Sequence, residues 1–204
     1  MEDVHAPATR AAVNRRMGPV GSANWHAMLD AAEATLLEEG YGALTSRRIA
    51  ERVAVKQRLV YYYFHTMDEL IVETFRRMAL RELERMRRTL EGPSPLRELW
   101  DVCIHTTDSR ITSEFMALAY RNADLRREVT SFIEESRAIQ AAAIRLAMDR
   151  SGQSSELDAE ALALLATGVA LAMTREAALG VTTGHALAIA RIEALIDRLE
   201  PPAA

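Results

Sequence analysis

An all-α fold of about nine helices is what this sequence predicts, and three observations carry it. Apolar residues recur at three- and four-residue intervals along nearly the whole chain, the spacing of one face of a 3.6-residue helix. No stretch sustains the period-two alternation of a half-buried strand. Helix start signals (Ser, Thr) and stop signals (Gly, Pro) punctuate the apolar stretches at fitting intervals. With 204 residues, 49% apolar and 26% charged, the chain can bury a sizeable core in one or two globular domains.

Taken in order, residues 1–22 hold Pro7, Gly18, Pro19 and Gly21 without apolar periodicity, and read as a flexible arm in which Arg10, Arg15 and Arg16 are available to phosphate. A first helix over 24–39 carries Trp25, Met28, Leu29, Ala32 and Leu36 and stops at Gly40. Thr45 is placed to cap a short second helix with Ile49, Ala50 and Val53 inward. Arg48 stands where a capping box wants Glu or Gln, so only half the motif is present. After a tight break near Ala54 and Val55, a third short helix runs to about Tyr63. Thr66 caps a fourth, with Glu69 three residues on; Leu70, Ile71, Phe75, Met78, Leu83, Met86 and Leu90 form its stripe, and "GPSP" ends it. "PLRELWDVCIHTT" and "SEFMALAYRN" are short amphipathic segments. Leu125, Val129, Phe132, Ile139, Ala143 and Ala147 mark a long helix ending at Gly152. "LDAEALALLATGVALAMTREAALG" is another, and Ile189, Ile192, Ile196 and Leu199 mark a last one before Pro201 and Pro202.

The net charge of −4 is unevenly spread. Between Tyr41 and Phe64 stand Arg47, Arg48, Arg52, Lys56 and Arg58 against the single acid Glu51, whereas from Gly92 onward acids outnumber bases. A basic patch on an acidic molecule points to a polyanion partner. Cys103 is the only cysteine, which excludes an internal disulfide and a cysteine zinc cage and fits the cytoplasm. Arg15 and Arg16 precede Gly18 and Pro19 rather than an apolar segment, so no secretory leader is expected. The apolar run between Glu160 and Arg175 falls short of the ~20 residues that span a bilayer, so no membrane partner is expected either.

Catalysis finds little support. Asp101, His105 and Asp108 share one helical face at a spacing that can hold a metal, but that face lies opposite Leu96, Trp100 and Cys103 and reads as solvated, so no metal is expected. The sequence contains no nucleophile elbow, phosphate loop or dinucleotide fingerprint, so no cofactor and no enzyme activity are expected.

Two short helices joined by a tight turn, with a basic outer face, read as a helix-turn-helix whose second helix enters the major groove. In "VKQRLVYYYF" the inward residues are Leu59 or Val60 together with Phe64, leaving Lys56, Gln57, Arg58, Tyr61 and Tyr62 outward and Tyr63 partly buried. Gln pairs with adenine edges and Arg with guanine, while phenol hydroxyls bind phosphate. An outward aromatic pair can also be a protein interface; surrounded by unpaired basic residues, DNA is the better reading.

"MLDAAEATLLEEGYGALTSRRIAERVAVKQRLVYYYFHTMDELI" resembles the DNA-binding segment of the TetR (tetracycline-repressor-like) family of bacterial regulators, over about residues 24–75. The helix–Gly–Tyr break, the Ile-Ala pair, the Val of the turn, the Tyr-x-x-Phe and the closing Glu-Leu appear in order. The resemblance implies a DNA-binding domain over 23–70 and a ligand-binding and dimerisation domain over 71–204. It implies phosphate contacts from Thr45 and Arg47, a DNA contact from Ser46 between them, groove entry by Lys56, Gln57, Arg58 and Leu59, and backbone binding by Tyr61, Tyr62 and Tyr63. Lys56 stands where Ser or Thr is common, Arg58 where Gly is, and Met67 where a phosphate-binding lysine is, with Tyr62 as a substitute for the last.

The implied partners are double-stranded operator DNA, a small and largely apolar effector that releases a repressor, and a second copy of the chain joined through the last two helices. Leu162, Leu164, Leu165, Val169 and Leu171 put apolar residues on more than one side of their helix, one side for the core and one for a twin. Composition nominates Trp100, Cys103, Phe115, Met116, Tyr120, Phe132, Met148 and Met173 for the pocket, with Arg121 available to an acidic ligand. A helical interaction protein, or a small-molecule binder without specific DNA binding, accounts for the helices but not for the basic segment with its tyrosines.

Overall fold

The structure, a computed structural model, describes residues 19–105, 109–152 and 158–201. Nine α-helices make up the described residues: α1 (Ala23–Glu39), α2 (Ser46–Arg52), α3 (Gln57–Tyr63), α4 (Met67–Thr89), α5 (Pro95–His105), α6 (Ser109–Ala119), α7 (Ala123–Ser151), α8 (Ala159–Ala178) and α9 (His185–Leu199). A single 3-10 turn, Tyr41–Ala43, links α1 to α2, and no strand occurs among the described residues. The arm expected over 1–22 falls outside them up to residue 18.

Local chemistry explains the helix starts. Ser22, Thr45, Thr66 and Asn122 each accept a hydrogen bond from a first-turn backbone N–H of α1, α2, α4 and α7, satisfying donors that have no partner within the helix. The box at α4 differs from its usual form. Glu69 accepts from the His65 N–H at 2.7 Å, one residue before the cap. α7 ends at Gly152 in the left-handed conformation, φ 65°. Glu200, buried just past α9, accepts from the backbone N–H groups of Leu96 (2.8 Å) and Arg97 (3.1 Å), so the start of α5 is capped from the far end of the chain.

Packing makes one continuous body. Met28, Leu29, Ile49, Val60, Phe64 and Leu70 form the centre of the α1–α4 unit. The same core extends through Ile111 and Phe115 of α6 and Leu125 and Val129 of α7. Phe75 of α4 meets the Phe115 ring at 5.0 Å and the Phe132 ring of α7 at 6.0 Å, both edge-on. The boundary expected at 70/71 therefore lies inside α4, between two residues of one core. With 23 residues, α4 reaches about 34 Å.

Smaller cores join α4, α5 and α7 (Leu83, Leu99, Ile139), then α5, α8 and α9 (Trp100, Met173, Ile196). α8 has 20 residues and enough apolar character to cross a membrane by length and composition. Its uncharged stretch, 161–174, would cover only about 21 Å, against about 30 Å of hydrocarbon. Leu164, Leu165 and Leu171 of α8 and Leu187 of α9 face outward.

Candidate nucleic-acid interface and body cavity

The turn between α2 and α3 is tight because Ala54 takes a left-handed φ of 55° and the Val55 N–H reaches the Ala50 carbonyl at 2.9 Å. It projects α3 so that Val60, Tyr63 and Phe64 enter the core while Tyr61 and Tyr62 remain 48% and 45% exposed. Lys56, Gln57 and Arg58 are exposed on the same outer surface, and Leu59 is half-buried against the core. Tyr63 is buried, its ring edge-on to Tyr62 at 5.4 Å, so of the three tyrosines two are presented outward.

Ser46, expected among the DNA contacts, lies beneath the exposed face. It is only 5% exposed, wedged between α2 and α3. Gln57 Nε2 donates to Ser46 Oγ at 2.8 Å, and Ser46 Oγ donates to Tyr61 Oη at 3.0 Å. The chain of donors leaves the Tyr61 proton free to point outward, where a phosphate oxygen would accept it. Thr45 Oγ1 is occupied as the α2 cap, accepting from the Arg48 N–H at 3.1 Å, yet the residue is exposed. Met67, at the position noted for a missing lysine, packs partly buried against the core.

The basic patch is less free than a count along the sequence suggests. Arg48 forms a fork to Glu39, with contacts of 2.7 to 3.1 Å, and Arg52 pairs with both Glu38 and Glu39. Those hydrogen bonds, Arg48 first, hold the Glu39 carboxyl below its ordinary range, and the Glu38 bond raises Arg52 further. Arg47 is highly exposed beside Glu51 at 2.9 Å. Lys56 and Arg58 have no ionic partner among the described residues. The reading of unpaired basic residues is thus corrected: both carboxylates belong to α1, outside the stretch between Tyr41 and Phe64, and folding brings them over α2.

In the body, α5, α7, α8 and α9 line a half-open cavity of about 220 Å³. No charged side chain lines it among the described residues. Of the eight residues nominated from composition, Trp100 and Cys103 line it. Phe115 and Phe132 belong instead to the packing around Phe75, Met148 to the α7–α8 contact, and Met173 to the α5–α8–α9 core. Met116, Tyr120 and Arg121 line a separate open groove between α6 and α8 together with Arg175. Burial and the negative field of Glu82 push the Cys103 thiol up to about 11.

Sequence reasoning missed Gln140 and Thr167, which bring polar groups to the cavity. Thr167 Oγ1 donates to Gln140 Oε1 at 2.7 Å. A signal existed: Gln140 interrupts the inward run between Ile139 and Ile144, where a polar residue needs a reason. Asp108 and the His105 side chain, part of the metal spacing weighed from sequence, lie outside the described residues. No group of three or more His, Cys, Asp or Glu gathers to hold a metal among the described residues.

Residues 28–74 match the model of the family described as bacterial regulatory proteins, tetR family. No curated relative matches. Among solved structures, a protein described as a transcriptional regulator from Pseudomonas aeruginosa is 19% identical with a TM-score of 0.68, the match covering 87% of this chain and 90% of that one. A TetR transcription regulator from Haloarcula marismortui is 21% identical with a TM-score of 0.69, covering 76% and 86%. A protein described as a transcriptional regulator from Saccharomonospora viridis, solved in complex with choline, is 16% identical with a TM-score of 0.68, covering 78% and 86%. Identities at this level establish the shared helical fold.

Proposed function

We propose that this chain, which carries the tetR-family DNA-binding domain on a fold shared with regulators of that family, is a ligand-responsive repressor that binds double-stranded operator DNA as a cytoplasmic homodimer. The observation that supports it best is the exposed face of α3. Lys56 and Arg58 stand there without ionic partners among the described residues, beside Gln57 and the outward pair Tyr61 and Tyr62. Cations and phenols bind phosphate, while Gln57 and Arg58 reach base edges.

A dimer follows from the task, since two recognition helices must sit about 34–36 Å apart to meet successive major grooves. The outward leucines of α8, with Leu187 on α9, offer an exposed apolar surface that a second copy would cover. The regulator solved in complex with choline lends support to a small-molecule ligand for such a fold. A ligand that spreads the body helices would tilt α4 and change the spacing of the two α3 helices. It acts only as far as it prefers the spread state, and operator DNA must weaken its binding by the same factor.

A gel-shift assay with DNA flanking the coding sequence tests the reading. Retarded DNA that survives excess random competitor is expected. Retardation abolished by the competitor would leave a helical protein with only non-specific affinity, and sink the operator model.

A further inference from the structure

We infer that the cavity between α5, α7, α8 and α9 is built for an uncharged molecule with an apolar body and a hydrogen-bond-accepting oxygen, such as a ketone or ether, and without donors of its own. The inference deepens the effector reading and rests on it for its regulatory meaning, but the binding chemistry is read from the cavity alone.

Three facts converge. First, the lining excludes ions: no charged side chain reaches it among the described residues, so a carboxylate, phosphate or ammonium would be desolvated without compensation. Second, the surface is almost wholly apolar, and the few polar groups on its lining residues include N–H donors without a good acceptor. The Trp100 indole Nε1 is buried and has no hydrogen-bond partner. Gln140, only 7% exposed, spends its carbonyl oxygen on the Thr167 hydroxyl and keeps its amide N–H groups facing nothing better than the Cys103 sulfur at 4.0 Å. Sulfur is a weak acceptor, and the Cys103 thiol stays protonated at neutral pH. Buried N–H groups in this condition are costly, and an oxygen that brought lone pairs to them would recover that cost. Third, size is consistent: an apolar cavity of about 150 Å³ admits benzene, so one of about 220 Å³ suits a molecule of roughly nine or ten non-hydrogen atoms.

The probes are acetophenone, ethylbenzene, benzoate and 1-phenylethylamine, which share a benzene ring and differ in carrying a ketone, nothing polar, a negative charge or a positive charge. Each is titrated into the full chain by calorimetry, and the two tryptophan indole N–H signals are followed by ¹⁵N-resolved NMR. Acetophenone should bind roughly tenfold more tightly than ethylbenzene. It should shift the one indole signal that disappears in Trp100→Phe. The two charged probes should not bind. Trp100→Phe keeps an aromatic wall without the N–H, so it should narrow the preference for acetophenone over ethylbenzene, a ratio that a mere change in wall volume would leave alone. Gln140→Met provides the same comparison at the other donor should Trp100→Phe not fold.

Equal affinity for acetophenone and ethylbenzene with no indole shift, preference for a charged probe, or no binding of acetophenone up to its solubility would each overturn the inference. A gel shift with the same probes separates it from the regulatory reading. Probes that bind as expected but leave the DNA complex intact uphold the cavity chemistry and count against the effector role.

Discussion

Ser46 ties together two side chains of α3, Gln57, proposed above to reach a base edge, and Tyr61, proposed to bind phosphate. Because its hydroxyl accepts from Gln57 and donates to Tyr61, it fixes both side chains on the first turns of α3. Gln57→Ala should relax preference at one base position by about 1–3 kcal/mol. Tyr61→Phe should weaken all sequences alike, because phosphate carries no base information. Ser46→Ala should do some of each, which fluorescence anisotropy on operator and scrambled duplexes will separate; an unchanged Ser46→Ala would mean that the relay is incidental. Cys103 offers a second test. Its thiol is raised from 9.0 to about 11, so the folded state favours the protonated form. That contribution is fully present below pH 9, where neither state ionises, and is lost as pH rises from 9 through 11 and the unfolded chain ionises first. Reaction with a disulfide reagent at pH 8 should therefore be far slower in the native protein than in urea, since only the thiolate attacks.

Individual helices owe their places to pairings from elsewhere in the chain. α2 is clamped to α1 by Arg48 and Arg52 on Glu38 and Glu39, and α4 to α7 by Arg76 on Glu128. Gly40 shows how close the elements come: a Cβ there would lie 3.2 Å from Glu114 Oε1 of α6, and its φ of 79° is one that side chains avoid. α8 has the opposite character. Leu164 and Leu165 are 55% and 57% exposed, an apolar surface that water does not favour. Leu164→Glu combined with Leu171→Glu should convert the protein to a monomer in sedimentation velocity and remove operator binding, leaving the helical circular dichroism intact. A double variant that sediments like the wild type would place the dimer surface elsewhere.

The whole molecule shares one core between its DNA-facing and body helices. Phe115 of α6 packs in the core that holds α1 to α4, so Phe115→Ala should cost about 3–5 kcal/mol and lower a single melting transition instead of splitting it in two. The charge pairing decides the salt response. Binding should weaken linearly in log–log form with salt, and Lys56→Ala should flatten the slope by about 0.9 per protomer. Arg52→Ala should leave the slope alone and lower the melting temperature, because that guanidinium is already spent on Glu38 and Glu39. An equal loss of slope from both variants would show that Arg52 is free to meet phosphate.

Local rules carried the helices and their caps: Thr45, Thr66 and the apolar 3.6-residue stripes act within a few residues, so the sequence by itself determined the all-α class, the helix-turn-helix and which tyrosines of α3 face outward. Pairings across many residues were decided only in the folded chain. Arg52 and Glu38 are 14 positions apart, and Glu200 reaches Leu96 across 104. Ser46 is polar and begins a helix, which reads as surface; it is buried because α3 folds back over it. The cavity follows the same logic. Phe115, Phe132 and Met173 have the composition of a pocket but pack into cores, while Gln140 and Thr167 sit in apolar runs and meet only when α7 and α8 come together. Periodicity tells which face of a helix is buried, and it does not tell which neighbour covers that face or where neighbours leave a gap.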